Sequence, residues 1–159
     1  MSIPEIGKAS PPFTLPATGA EPPGQTISLS SLKGSKVVLY FYPRDATPGC
    51  TSESQNFRDA HTGFLQAGAI VLGLSQDTLA SHEKFKAKES MPFDLLSDED
   101  GSVCRAFDVI RLKKMYGKEF EGIERSTFLI DAKGVLRQAW RKVKVPGHVD
   151  EVLAAVQAL

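Results

Sequence analysis

Two apolar runs rich in β-branched and aromatic residues, Val37–Tyr42 and Ala69–Ser75, flank a segment of helical period, Ser52–Ala67. In that segment Phe57, Ala60, Phe64 and Leu65 fall on one helix face. Gly68 follows at the position where helices turn left-handed and stop. Apolar runs of this kind read as buried strands. A strand, a helix and a second strand in succession make the two strands a parallel pair.

The flanking segments extend this unit. Phe13 and Leu15 alternate with polar or small positions, as do Ile27 and Leu29, so each reads as a short strand, with Gly19–Gly24 as the turn between them. Ser30–Gly34 reads as one helical turn. Thr78–Glu89 reads as a polar helix capped by Asp77 or Thr78, and Pro92–Leu96 as a short extended piece. Asp98 or Asp100 would cap a helix through Val103 and Phe107, and Arg111–Gly122 reads as a charged loop. Thr127–Ile130 and Val135–Trp140 flank Asp131-Ala132-Lys133-Gly134, a hairpin turn signal that implies an antiparallel pair. Val149, Val152, Leu153 and Val156 mark a closing amphipathic helix. The expected fold is α/β and thioredoxin-like: a central mixed sheet with flanking helices and an N-terminal β-hairpin extension, in a single domain over residues 1–159.

Charge narrows the partners. Lys plus Arg and Asp plus Glu both number 19, so no net charge draws the chain to nucleic acid or an acidic membrane. The basic stretches Arg111–Lys118 and Arg137–Lys144 have acids close by and read as solvated faces or loops. The longest apolar runs are far short of the roughly 20 residues that span a bilayer. No targeting pattern is recognised at the N-terminus. Two cysteines are too few for a disulfide scaffold, so a reducing cytoplasm is the expected setting. His61, His82 and His148 lack ligand-like spacing, and there is no Gly-rich phosphate loop, so neither metal nor cofactor is expected. His61 is expected on a solvated helix face, and Trp140 in the core or on the sheet face.

The chemistry concentrates after the first long strand, in Phe41-Tyr-Pro-Arg-Asp-Ala-Thr-Pro-Gly-Cys50. Cys50 stands where a helix begins. Free N–H groups and the positive dipole end there favour thiolate, the reactive form of a thiol. Thr47 can hydrogen-bond a group beside the sulfur or simply cap the helix. Pro43 ends the strand, and its ring would stiffen the loop wall.

The pattern Pro43-xxx-Thr47-xx-Cys50 resembles the peroxiredoxin active-site motif, and the wording FYPRDATPGCTSE is similar to the bacterioferritin-comigratory (PrxQ) subfamily. Gly122-Ile-Glu-Arg-Ser-Thr-Phe128 is similar to the family segment that carries an active-site arginine. The resemblance extends over nearly the whole chain, including Leu95–Asp100 and Cys104–Val109. It implies a thiol-dependent peroxidase for hydrogen peroxide and organic hydroperoxides. Cys50 would be the peroxidatic thiolate that becomes a sulfenic acid. Thr47 would hydrogen-bond the peroxide, Arg125 would stabilise the thiolate and the developing charge, and Pro43 would shield the pocket. Glu53, one turn on from Cys50, would hold Arg125; its alternative is a plain first-turn acid favoured by the helix dipole.

The chain departs from the pattern in one respect. Many subfamily members carry a resolving cysteine five residues after the peroxidatic one, where Gln55 stands here, and others carry it on the next helix, around Phe85–Lys88. Cys104 is the remaining candidate, and its neighbours Val103, Ala106 and Phe107 read as a core-packed helix. A one-cysteine cycle is therefore expected, with thioredoxin, glutaredoxin or glutathione reducing the sulfenic acid in a monomer. A two-cysteine cycle through Cys104 is the alternative. Two further alternatives are a thiol–disulfide oxidoreductase, against which the absence of C-x-x-C argues, and a binding module on the same fold.

Overall fold

A computed structural model describes residues 3–19 and 25–159. The described chain holds nine strands and four α-helices. β1 (Thr14–Pro16) and β2 (Thr26–Ser28) are followed by a 3-10 turn, Leu29–Leu32, and by β3 (Lys36–Phe41). Then come α1 (Pro48–Gln66), β4 (Ala69–Ser75), α2 (Leu79–Glu89), β5 (Asp94–Ser97) and α3 (Ser102–Ala106). β6 (Ile110–Met115), β7 (Lys118–Ile123), β8 (Ser126–Ile130), β9 (Leu136–Trp140) and α4 (His148–Gln157) complete the order.

The central sheet has the order β5-β4-β3-β8-β9. β3 pairs parallel with β4, Val38 opposite Val71, and antiparallel with β8, Leu39 opposite Phe128. This is the expected mixed sheet, with the crossover helix α1 between its parallel strands. β1 and β2 form the expected front hairpin, Leu15 opposite Ile27. Its turn, at residues 20–24, lies outside the described residues. Two isolated bridges fasten the N-terminal segment to the opposite edges of the sheet: Ala17 to Leu96 beside β5, and Ala9 to Val135 beside β9.

Side-chain alternation along β3 divides the interior. Val37, Leu39 and Phe41 face a core built with the front strands, Val103, Cys104, Phe107 and Phe128. Val38, Tyr40 and Tyr42 face the other core, with Phe57 and Phe64 of α1, Phe85 of α2 and Val152 of α4. Tyr40 stacks on Phe57 with ring centroids 4.5 Å apart. Gly73 on β4 makes room for it, because a Cβ there would stand 2.8 Å from the Tyr40 ring. The longest helix, α1, carries Glu53, Arg58 and Asp59, and no described helix is long and apolar enough to cross a membrane.

The structure differs from the sequence reading at several points. α1 begins at Pro48, four residues before Ser52, because a proline in the first helical position has its φ already set and needs no N–H acceptor. Arg111–Gly122 is a β-hairpin, not a loop. Its strands β6 and β7 join through Tyr116 and Gly117, both left-handed at φ 52° and 75°, the twist a two-residue hairpin turn needs. Gly122 lies within β7. Both Asp98 and Asp100 accept N–H bonds at the start of α3, from Val103 and Cys104 and from Ser102 respectively. His61 is half-buried, its ring centroid 5.8 Å from that of Phe93, rather than on a solvated face.

Candidate active site

The end of β3 and the start of α1 build the site. The chain leaves β3 at Tyr42, bends at the exposed Pro43 and crosses Arg44, Asp45 and Ala46 to reach Thr47, the residue before the helix. Ala46 is left-handed at φ 61°, a conformation that a non-glycine residue holds only when its surroundings dictate it. Cys50 falls in the first turn of α1, buried at 1% exposure, where the amide groups have no partner within the helix.

Arg125 arrives from a distant part of the sequence, immediately before β8. Its guanidinium serves two partners at once. Nη2 donates to Cys50 Sγ at 3.3 Å, and Nη1 donates to Glu53 Oε1 at 2.7 Å. Gly49 allows this approach, because a Cβ there would stand 3.1 Å from Nη2. Burial lowers the Arg125 pKa, but the charges of Glu53 and Cys50 outweigh it and hold the guanidinium above its usual value.

Glu53 is fully buried on α1, and its Oε2 has no hydrogen-bond partner among the described residues. Burial raises its pKa to about 7 against the opposing pull of Arg125. Lys113 of β6, which the sequence did not single out, belongs to the same neighbourhood. Its Nζ donates to the Ile123 carbonyl at 2.6 Å. Burial and the Arg125 charge lower its pKa, while Cys50 draws it back up.

Thr47 occupies the N-cap position, yet its side chain does not cap the helix. Its hydroxyl donates to the Arg44 carbonyl at 2.8 Å. With that proton committed, the remaining capacity of Oγ1 is to accept. The hydroxyl therefore suits a ligand that brings an O–H.

Cys104 lies elsewhere. It sits on α3 in the core beneath one face of the sheet, whereas Cys50 belongs to the core on the other face. Its backbone N–H donates to Asp98 Oδ2 at 2.8 Å. Burial, followed by the Asp98 carboxylate, pushes the Cys104 thiol far above its usual range. Both cysteines are free.

A second polar cluster stands behind the loop. One ligand-type atom from each of Asp45, Asp77 and His82 lies within 4.8 Å of the others. Protein hydrogen bonds already use these atoms. Asp45 accepts from Tyr42 and Ser81 and contacts His82, and Asp77 Oδ2 accepts from the Asp45 N–H and the Ser75 hydroxyl. The donor set is that of an internally satisfied network rather than a cation cage. Spacing along the chain gave no hint of it, since its members come from the loop, the end of β4 and α2.

Comparison with known proteins places the chain in a family. Residues 6–139 match the AhpC/TSA family. The chain is 51% identical over 153 residues to a putative peroxiredoxin Bcp of Coxiella burnetii, covering 96% of this chain and 98% of that protein. It is 49% identical over 153 residues to peroxiredoxin Bcp of Bacillus subtilis, covering 96% and 95%. A solved structure of a cysteine-to-serine variant of Xylella fastidiosa PrxQ superposes with a TM-score of 0.90 at 42% identity, over 99% of this chain and 98% of that one. The bacterioferritin comigratory protein of Xanthomonas campestris, whose structures concern alkyl peroxide reduction, gives a TM-score of 0.85 at 49% identity, over 92% and 90%. The chain belongs to the AhpC/TSA family and, within it, to the bacterioferritin-comigratory (PrxQ) peroxiredoxins, which are thiol-dependent peroxidases.

Proposed function

We propose that Cys50 is the peroxidatic nucleophile of a one-cysteine peroxidase acting on hydrogen peroxide and organic hydroperoxides. The observation that carries this reading is the Arg125 guanidinium 3.3 Å from the Cys50 sulfur. The Cys50 thiolate attacks the terminal peroxide oxygen. An S–O bond forms, the O–O bond breaks, and the alkoxide or hydroxide leaves and takes up a proton as alcohol or water. Sulfur is oxidised by two electrons to the sulfenic acid, and the peroxide is reduced by the same two.

Arg125 favours this step as a fixed donor aimed at the sulfur and the charge beside it. Thr47 Oγ1 accepts the peroxide O–H, Glu53 holds the guanidinium in register, and Pro43 closes the outer wall of the loop. An external thiol then attacks the sulfenic sulfur. Water leaves, a mixed disulfide forms, and a second thiol releases reduced Cys50. Thioredoxin, glutaredoxin and glutathione all carry the chemistry that this step requires. The one-cysteine form draws its support from Cys104, whose buried thiol faces away across the sheet and resists ionisation. An assay of peroxide consumption with dithiothreitol tests the reading. Turnover in the wild type and none in Cys50→Ser is expected; equal turnover in both overturns it.

A further inference from the structure

His82 is a buried, titratable side chain that the reaction as written does not use. It projects from α2 into the space behind the active-site loop and is 0% exposed, and the Asp45 side chain it meets is 4% exposed. Nε2 lies 2.9 Å from the carbonyl oxygen of Leu96. A carbonyl only accepts, so Nε2 carries a proton. Nδ1 lies 2.7 Å from Asp45 Oδ2. Burial raises the Asp45 pKa, but its contacts with His82, Tyr42 and Ser81 outweigh it and hold the carboxyl below its usual range. Both ring nitrogens thus have a partner within hydrogen-bond distance, and the ring bridges Leu96 and Asp45.

Both carboxylate oxygens of Asp45 are engaged. Oδ1 takes the Tyr42 hydroxyl at 2.6 Å, and Oδ2 takes Ser81 at 2.8 Å beside His82. The Asp45 N–H donates to Asp77 Oδ2 at 2.9 Å. Asp45 is thus pinned through backbone and side chain at once. The next residue is the left-handed Ala46, and the one after is Thr47. A strained residue between two fixed ones keeps its conformation because its neighbours leave it no other.

We infer that His82 is a positioning residue for peroxide reduction: as a buried side chain bridging Leu96 and Asp45, it fixes the Asp45–Thr47 turn and so sets where the Thr47 hydroxyl meets the peroxide. The inference rests on the reading of Cys50 and Thr47 given above. Because His82 acts through Asp45 on the acceptor rather than on the sulfur, its loss separates two reactions of the same thiol. Reaction with peroxide needs Thr47 in place. Alkylation by iodoacetamide needs only an accessible thiolate.

The test compares both rates in folded protein. His82→Gln is expected to lower the rate of Cys50 sulfenic acid formation by about tenfold or more, since misplacement on the order of 1 Å costs that much, while alkylation changes by less than about twofold. Ser81→Ala removes one donor to Asp45 and keeps the His82 and Tyr42 contacts, so a smaller fall of about threefold in the peroxide rate alone is expected.

A His82→Gln protein that reacts with peroxide at the wild-type rate overturns the inference, as does a proportional fall in both reactions. If His82→Gln does not fold, Ser81→Ala decides, and an unchanged ratio of the two rates overturns it. A wild-type Cys50 that alkylates but never forms sulfenic acid strikes the peroxidase reading, and this inference falls with it.

Discussion

Arg125 divides one guanidinium between a sulfur and a carboxylate, and its planar fork is what makes that possible. A lysine carries the same charge as a single point and cannot hold both geometries. Arg125→Lys is therefore expected to lower the rate of sulfenic acid formation by roughly a hundredfold, the size of losing one well-aimed donor, as rapid-quench mass spectrometry would measure. An unchanged rate would remove Arg125 from the step. Glu53 gives a prediction of the opposite kind. Its folded pKa of about 7 lies above the ordinary carboxylate value, so the folded state holds this proton more tightly than the unfolded chain does. Stability from Glu53 is thus fully present below about pH 4.5 and is lost as pH rises through about 7, an effect of roughly 3 kcal/mol. In Glu53→Gln this loss is absent. Urea titrations across that window are expected to give a flatter pH profile than wild type, and an identical slope would contradict the assignment.

Among the elements, the first turn of α1 shows how local sequence serves the site. Pro48 starts the helix and Gly49 leaves space for the guanidinium. Gly49→Ala should therefore separate stability from activity. Alanine suits a helix better by about 0.5–1 kcal/mol, so the melting temperature is expected to hold or rise. The new Cβ crowds Arg125 Nη2, so the peroxide rate is expected to fall severalfold. A variant that is both less stable and fully active would contradict this. Gly73 on β4 has no such freedom. A Cβ there meets Leu95 at 2.7 Å as well as Tyr40, and Gly73→Ala is expected to destabilise the fold by about 1–3 kcal/mol in denaturant unfolding.

These elements also show how far the sequence could be read. Val37–Tyr42 and Ala69–Ser75 were legible as buried strands because nothing polar interrupts them. β6 and β7 were not, because Arg111, Lys113 and Lys114 extend an exposed hairpin whose alternation charge conceals, and Tyr116-Gly117 lacks the usual Asn-Gly signal. The start of α1 was legible two ways: the periodic face begins at Ser52, whereas Thr47 as the residue before the helix puts the start at Pro48, where the N-terminal preference for proline also puts it.

At the scale of the molecule, the sheet separates the two cysteines. Cys50 stands at the mouth of α1 under Arg125, and Cys104 lies on the opposite face among Phe107, Val109 and Phe128. The sequence supplied Cys50, Thr47 and the arginine segment, because these sit in short motifs. It could not supply the network of Asp45, Asp77 and His82, whose members meet only once α2 packs beside the loop, nor the face on which Cys104 lies. The separation of the cysteines bears directly on the mechanism. Joining them requires Cα atoms within about 4.4–6.8 Å, and the intact sheet stands between the two cores. The most direct test treats reduced wild-type protein with a stoichiometric amount of hydrogen peroxide and reads its intact mass and peptide map. The expected result is one added oxygen on Cys50, trapped as a sulfenic acid adduct, with Cys104 still a free thiol. The loss of two hydrogens with a Cys50–Cys104 disulfide in the map would contradict the account.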